Sequence, residues 1–219
     1  MPQYTAFIFD MNGTMINDMH YHELAWFNIL VKELNAGLTK EEVKLHMYGK
    51  NEELFERVFG PGKYTKEEIA AFTHRKEGRY REDFLPELKL IDGLDTFLAK
   101  AKATNVKLAI GTAAIKDNVD FVLDNLSLRN YFPVIVGPED VVTSKPDPEV
   151  FIKAAQQLGV DPANCVVFED SPKGIEAARR AGMKAVGIAS YHTAEELAND
   201  NVLCVVDDYN DAVLNGLVF

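Results

Sequence analysis

The chain has 219 residues, 47% hydrophobic and 26% charged, and its 23 Lys plus Arg against 34 Asp plus Glu give a formal net charge of −11. At roughly 150 residues per domain, this is one domain with a large insertion or a large domain beside a small one, with enough apolar residues to bury a core unaided. The acid excess excludes a general attraction to nucleic acid or to an anionic membrane surface, but not a small anionic substrate, whose site sets its own local field. No run approaches the roughly 20 apolar residues of a membrane helix, and the N-terminus lacks secretory-signal flanks. A cytoplasmic protein that meets neither membrane nor nucleic acid is the expectation. Cys165 and Cys204 each lie in an apolar run and read as free thiols of a reducing compartment, with a single disulfide as the alternative.

Tyr4 to Phe9 is a continuous apolar, β-rich run ending at Asp10, as expected of a strand buried on both faces of a parallel sheet. Asn12-Gly13-Thr14 supplies turn chemistry. From His20 to about Asn35, Leu24, Phe27, Leu30, Val31 and Leu34 recur at helical spacing. Thr39 to Phe84 is also helical in texture. Thr39-x-x-Glu42 and Thr65-x-x-Glu68 have the form of capping boxes, and Gly60-Pro61-Gly62 breaks two of its helices. Residues 18–86 therefore read as an all-helical block.

After Pro86 the texture changes. Helices are expected at Leu94–Ala103, Asp117–Leu126, Pro148–Leu158 and Pro172–Ala181, with a short one at Asp211–Leu214. Strands are expected at Val106–Ile110, Pro133–Val136, Cys165–Phe168, Lys184–Ile188 and Val202–Val206. This alternation implies an α/β domain of residues 1–17 and 87–219, a doubly wound parallel sheet with helices on both faces, interrupted after its first strand by the helical block.

In such a sheet, ligands bind at the carboxyl ends of the strands. Those ends carry Asp10, Thr112, and Glu169 with Asp170, while Lys145 lies in a polar loop after the third strand. Carboxylates, a hydroxyl and one ammonium at separate strand ends suit metal-assisted phosphoryl chemistry. The carboxylates hold a hard cation such as Mg²⁺ through oxygen, and the hydroxyl and ammonium grip phosphoryl oxygens. A carboxylate can also attack phosphorus and form an aspartyl phosphate. Each residue alone is unremarkable; their ordered occurrence along the whole chain is the signal.

Phe9-Asp10-Met11-Asn12-Gly13-Thr14 resembles the first motif, Asp-x-Asp-Gly-Thr/Val, of the haloacid dehalogenase superfamily. Gly111-Thr112 is similar to its second motif, Ser144-Lys145-Pro146-Asp147-Pro148 to its third, and Phe168-Glu169-Asp170-Ser171 to its fourth. Gly174-Ile-Glu-Ala-Ala178 and Ala181-Gly182 extend the fourth as in the β-phosphoglucomutase and phosphoglycolate-phosphatase branch. The resemblance implies a Rossmann-like core with an inserted helical cap and a Mg²⁺-dependent phosphohydrolase acting on a small phosphorylated metabolite. Asp10 would be the nucleophile and a Mg²⁺ ligand, and position 12 would lend the ion its backbone carbonyl. Asp170, and Glu169 through water, would complete the metal shell, and Thr112 and Lys145 would bind the transferring phosphoryl group. In the helical block, His22-Glu-Leu-Ala-Trp26 matches a pattern of the same branch, with Ala25 and Trp26 reading as core. His22, Gly49 and Lys76 match substrate-contacting positions of the cap, although for Lys76 a surface charge is the weightier reading.

Position 12 departs from the family. Its second Asp, the general acid and base of the phosphatases and mutases, is Asn12 here. An amide has no titratable proton at working pH, and losing general acid–base help typically costs about 10²–10⁴-fold. The substitution is engineered, or native to a slow phosphate-binding protein, or tolerated because the substrate has a good leaving group or another residue, His22 being nearest, supplies the acid. Glu52 stands where sugar-phosphate mutases place an Arg for a second phosphate, and Ala113-Ala114 follow Thr112 where they favour polar residues. Both argue against a mutase proper, which stays the alternative beside a binding protein that has lost turnover. A phosphonoacetaldehyde hydrolase would need a cap lysine, for which Lys50 is the loop residue at hand. A dehalogenase uses no metal, and a receiver domain has no cap.

Overall fold

In the computed structural model, which describes residues 4–47 and 49–218, the chain divides into two compact units. One comprises Met1–Asn17 with Lys89–Phe219, the other Asp18–Leu88. The helical unit runs two residues past Pro86, its last long helix passing into a 3₁₀ turn, Leu85–Glu87, with Pro86 as the second residue.

The first unit is built on β1 (Ala6–Phe9), β2 (Lys107–Gly111), β3 (Val134–Val136), β4 (Cys165–Glu169), β5 (Lys184–Ile188) and β6 (Val202–Val206). They form one sheet in the order β3-β2-β1-β4-β5-β6, and every pairing is parallel. β1 sits between β2 and β4, with Ala6 opposite both Lys107 and Cys165. Its four residues are all fully buried, the reason for its continuous apolar run. Alternate side chains face opposite ways. Ala6 and Ile8 join an aliphatic cluster with Ala109, Val167, Phe151 and Ile175. Phe7 and Phe9 join an aromatic one, in which Phe9 stacks on Phe168 at 4.6 Å and Phe7 on Phe97 at 5.6 Å between ring centroids. The sheet changes direction of winding beside β1, where doubly wound folds place their ligand crevice.

The helical unit contains α1 (Met19–Phe27), α2 (Lys40–His46), α3 (Asn51–Phe59) and α4 (Lys66–Phe84). Both expected capping boxes are present: Thr39 with Glu42 before α2, and Thr65 with Glu68 before α4. The helix expected to run unbroken to Asn35 does not. After Phe27 it widens into a π-helical stretch, Asn28–Glu33, with Leu34 N bonded to Ile29 O, five residues back. Trp26, Ile29, Leu30, Val43, Leu54, Phe55 and Ile69 are the core of this unit, so Trp26 is a packing residue.

The first unit adds α5 (Leu94–Ala103), α6 (Lys116–Asn125), α7 (Glu149–Leu158), α8 (Pro172–Arg180) and α9 (Asn215–Val218). The expected helix at 211–214 is a 3₁₀ turn, Ala212–Leu214, capped by the Asp211 carboxylate and followed by α9. Cys165 and Cys204 are free, the first buried and the second half-buried. Among the described residues, no helix is long and apolar enough to cross a membrane.

Candidate active site

Asp10 is the first residue beyond β1. Its N–H donates to Phe168 O at 2.9 Å, so the ladder with β4 fixes its backbone. The chain then turns tightly: Met15 N–H donates to Met11 O at 2.8 Å, and Gly13 adopts φ +71°. A Cβ on Gly13 would lie 2.1 Å from Asp170 Oδ2, so both the left-handed backbone and the close carboxylate demand glycine there.

At the end of β4, Glu169 and Asp170 are 1% and 4% exposed, and Asp10 is 7% exposed. Lys145 Nζ donates to Asp10 Oδ1 and to Glu169 Oε1, each at 2.6 Å, and sits 4.7 Å from the Phe151 ring centroid. The Lys145–Pro146 bond is cis. The other Glu169 oxygen accepts from Ser171 N–H at 2.8 Å and Ser171 Oγ at 2.9 Å. Ser171 also caps α8, its Oγ accepting from Gly174 N–H. The first turn of α8 lies so close that a Cβ on Gly174 would fall 1.8 Å from the Glu169 carboxyl carbon. Thr112 follows β2 and is buried; its N–H donates to Val136 O and its hydroxyl accepts from Ala114 N–H, both at 3.0 Å.

Three buried carboxylates thus face one ammonium. Burial would push the Lys145 ammonium down, but the carboxylates of Asp10 and Glu169, by charge and by hydrogen bond, together hold it above its ordinary value. Burial, then the charges of Glu169 and Asp10, push Asp170 well above the usual carboxylate range. The cluster is short of positive charge, and the side-chain atoms it could offer a cation are hard oxygens. Among the described residues, no three His, Cys, Asp or Glu side chains converge as a metal cage. That donor set fits an ion such as Mg²⁺, which takes one or two carboxylates and keeps its remaining positions for water and phosphate oxygens. Glu169 has both oxygens engaged, one by Lys145 and the other by Ser171.

The remaining sequence-derived positions belong to the helical unit. Lys76 is not a surface charge: it is 2% exposed. Its Nζ lies 2.5 Å from His22 Nδ1 and 2.9 Å from Glu77 Oε1, over the rings of Trp26 and Tyr80. Pairing with Glu77 and the aromatic faces make that burial tolerable, yet desolvation still lowers the ammonium's pKa against the pull of Glu77. His22 stacks on Tyr80 at 3.8 Å, and its Nε2 lies 3.3 Å from the buried Asp18 carboxylate. Tyr80 donates to the same Asp18 oxygen at 2.5 Å, and burial followed by the Asp18 charge drives its phenol pKa up. Gly49 has φ +73°, and a Cβ there would meet Glu53 Oε2 at 2.2 Å; Glu53 Oε2 accepts from Lys50 N–H at the start of α3.

Sequence reasoning missed Asp18, Glu77 and Tyr80. The i,i+4 spacing of Asp18 and His22 was the one local signal. Gly13 and Gly174 stood within the motifs, but their role in admitting the carboxylates of Asp170 and Glu169 was not read from them.

The family description "haloacid dehalogenase-like hydrolase" matches residues 7–188. The chain is 34% identical to β-phosphoglucomutase of Bacillus subtilis, over 84% of this chain and 82% of that one. It is 30% identical to validoxylamine A 7'-phosphate phosphatase of Streptomyces hygroscopicus, over 91% and 92%. A crystal structure of a family IA HAD hydrolase from Entamoeba histolytica superposes with a TM-score of 0.85 at 29% identity, covering 97% of each chain.

Proposed function

The chain belongs to the haloacid dehalogenase-like hydrolase family, and on that premise we propose that it is a Mg²⁺-dependent phosphohydrolase of small phosphate esters, working through a phosphoryl group on Asp10. The observation that carries this reading is the Lys145 bridge between Asp10 and Glu169 at 2.6 Å, with Asp170 alongside. Asp10 and Asp170, with the backbone carbonyl of Asn12, would hold the ion. Bound there, Mg²⁺ supplies charge neutralisation of the phosphoryl oxygens.

Lys145 pairs with the Asp10 carboxylate and aims it, because its second anchor on Glu169 stops it from following Asp10 alone. An Asp10 carboxylate oxygen attacks phosphorus, the ester P–O bond breaks, and the departing oxygen takes its proton from solvent. Thr112 Oγ1 and Lys145 Nζ are the donors for phosphoryl oxygens. Water then cleaves the acyl phosphate and returns Asp10. Asn12 can orient a leaving oxygen or a water by hydrogen bond but cannot exchange a proton with it, so turnover is slow unless the ester has a good leaving group. Lys76 and His22 are the substrate-contacting pair of the helical cap, with Gly49 shaping its loop.

The test is steady-state hydrolysis of p-nitrophenyl phosphate with Mg²⁺ by the wild type and Asn12→Asp. The reading expects slow wild-type turnover and a gain of about 10² or more in the variant, the size of general acid–base help. Failure of both to turn over any phosphate ester, with the cation still bound, would leave a binding protein instead. The identity with β-phosphoglucomutase favours a second reading, a phosphotransferase; interconversion of hexose 1- and 6-phosphates would support it, and hydrolysis alone would count against it.

A further inference from the structure

Three main-chain carbonyls of the loops that carry the candidate site are each held by a side chain from the C-terminal part of the sheet. Ser190 Oγ donates to Gly13 O, Tyr209 Oη donates to Thr14 O at 3.0 Å, and His192 Nδ1 lies 3.0 Å from Asp170 O. A carbonyl oxygen only accepts, so Nδ1 carries the proton in that contact. Ser190 and His192 follow β5 in one short loop, which is itself anchored at both ends. Ala189 N–H donates to Val206 O at 2.8 Å. Beyond the loop, Thr193 and Glu196 cap each other, with Thr193 N–H donating to Glu196 Oε2 at 2.8 Å and Glu196 N–H to Thr193 Oγ1 at 3.3 Å, and Leu197 is buried.

The two loops so joined approach closely: the α-carbon of Gly13 faces the Asp170 carboxylate with no room for a Cβ. The Asp170 carboxylate can hold its place beside Asp10 only if both backbones stay put. A loosened loop would let it swing away, because Ser190 holds the Gly13 carbonyl on one side of that contact and His192 the Asp170 carbonyl on the other.

We propose that Ser190 and His192 form a clasp that positions the Asp170 carboxylate for cation binding by tying the Gly13 carbonyl and the Asp170 carbonyl to one loop. Both are positioning residues, acting through backbone carbonyls. The inference rests on the assignment of Asp10 and Asp170 as cation ligands.

The test is Mn²⁺ binding, followed by electron paramagnetic resonance without substrate, for the wild type, Ser190→Ala and three variants at position 192. His192→Phe keeps a ring and removes the donor; outer-shell losses of this kind weaken metal affinity roughly 10–100-fold. His192→Asn places an amide N–H where Nδ1 stood and should recover most of the affinity. His192→Gln places its N–H where Nε2 stood and should not. Ser190→Ala should weaken binding in the same direction, and melting in EDTA should stay near wild type for every variant, which separates a positioning role from a folding one. Wild-type affinity in folded His192→Phe, or Asn no better than Gln, would overturn the clasp alone. A wild type that binds no Mn²⁺ would overturn the ligand assignment and the clasp with it.

Discussion

Replacing Lys145 by Met removes the one ammonium among the buried carboxylates and keeps a side chain of similar length against Phe151. The magnitude follows from the contacts. At 2.6 Å and an effective dielectric of about 20, each ion pair attracts by about 6 kcal/mol before desolvation. Much of that is offset, because the Lys145, Asp10 and Glu169 side chains are only 12%, 10% and 2% exposed and all three have lost hydration. Removing one partner of a buried pair nevertheless costs about 3–5 kcal/mol, since the other charges stay buried and uncompensated.

Urea unfolding of the EDTA-treated protein, followed by circular dichroism at pH 7, measures the loss. The pH dependence adds a sign. Burial and neighbouring carboxylates already raise the folded-state pKa of Asp170 against the opposing charge of Lys145, and without Lys145 it rises further. Groups with a raised folded pKa stabilise the fold while protonated, below their unfolded value, and lose that stability as pH climbs through the folded value. The deficit of the variant should therefore narrow as pH falls from 7 towards 5. A deficit under about 1 kcal/mol, the size of an exposed pair, or one that is flat over this range, would refute the description of the site as a charge-starved cluster.

Gly174→Ala should displace the Glu169 carboxylate from Lys145, because the new Cβ falls 1.8 Å from its carboxyl carbon. The expected cost is about 1–3 kcal/mol in urea unfolding together with a fall in phosphatase kcat, and wild-type kcat in a folded variant would contradict the placement of Glu169. Burial pushes the Cys165 thiol up to about 11. At pH 8 only about one such thiol in a thousand is the reactive thiolate, so native protein should be alkylated at Cys165 far more slowly than urea-unfolded protein, by peptide mass spectrometry.

The sheet and the helices around it were legible because their signals are local. β1 is an unbroken apolar run, α8 opens with Pro172 and is followed by Gly182, and the two capping boxes lie within four residues of sequence. The four motifs likewise sit at strand ends that the apolar runs already marked. What was illegible depends on partners far away in the chain. Lys76 stands among Arg75, Glu77, Arg79 and Arg81 and reads as one more surface charge, yet its partner His22 lies 54 positions away. Ser190 and His192 read as an ordinary loop, and the carbonyl that Ser190 holds is 177 positions distant. Gly174 reads as a residue of a helix start; only the packed helix shows that a carboxylate fills the space of its missing side chain. The π-helical stretch after α1 escaped because its apolar spacing serves either kind of turn.

Asn12 bears on stability as well as on turnover. The cluster already sets three carboxylates against one ammonium, and Asn12 is half-buried beside it in sequence and turn. A carboxylate at position 12 would add a fourth negative charge, so the variant that restores general acid–base chemistry should make the cation-free protein less stable. This is the opposition between activity and stability common at sites where like charges are gathered for function. Asn12→Asp should melt below wild type in EDTA at neutral pH, and saturating Mg²⁺ should stabilise the variant more than the wild type, because a cation relieves the greater repulsion and its binding adds to folded-state stability. The same variant examined at pH 5 should show a smaller deficit, since the added acid can then take up a proton. Differential scanning calorimetry of both proteins, with and without Mg²⁺, reads all of these outcomes. An Asn12→Asp protein that melts at or above the wild-type temperature in EDTA would show that position 12 does not share the electrostatic field of Asp10 and Asp170.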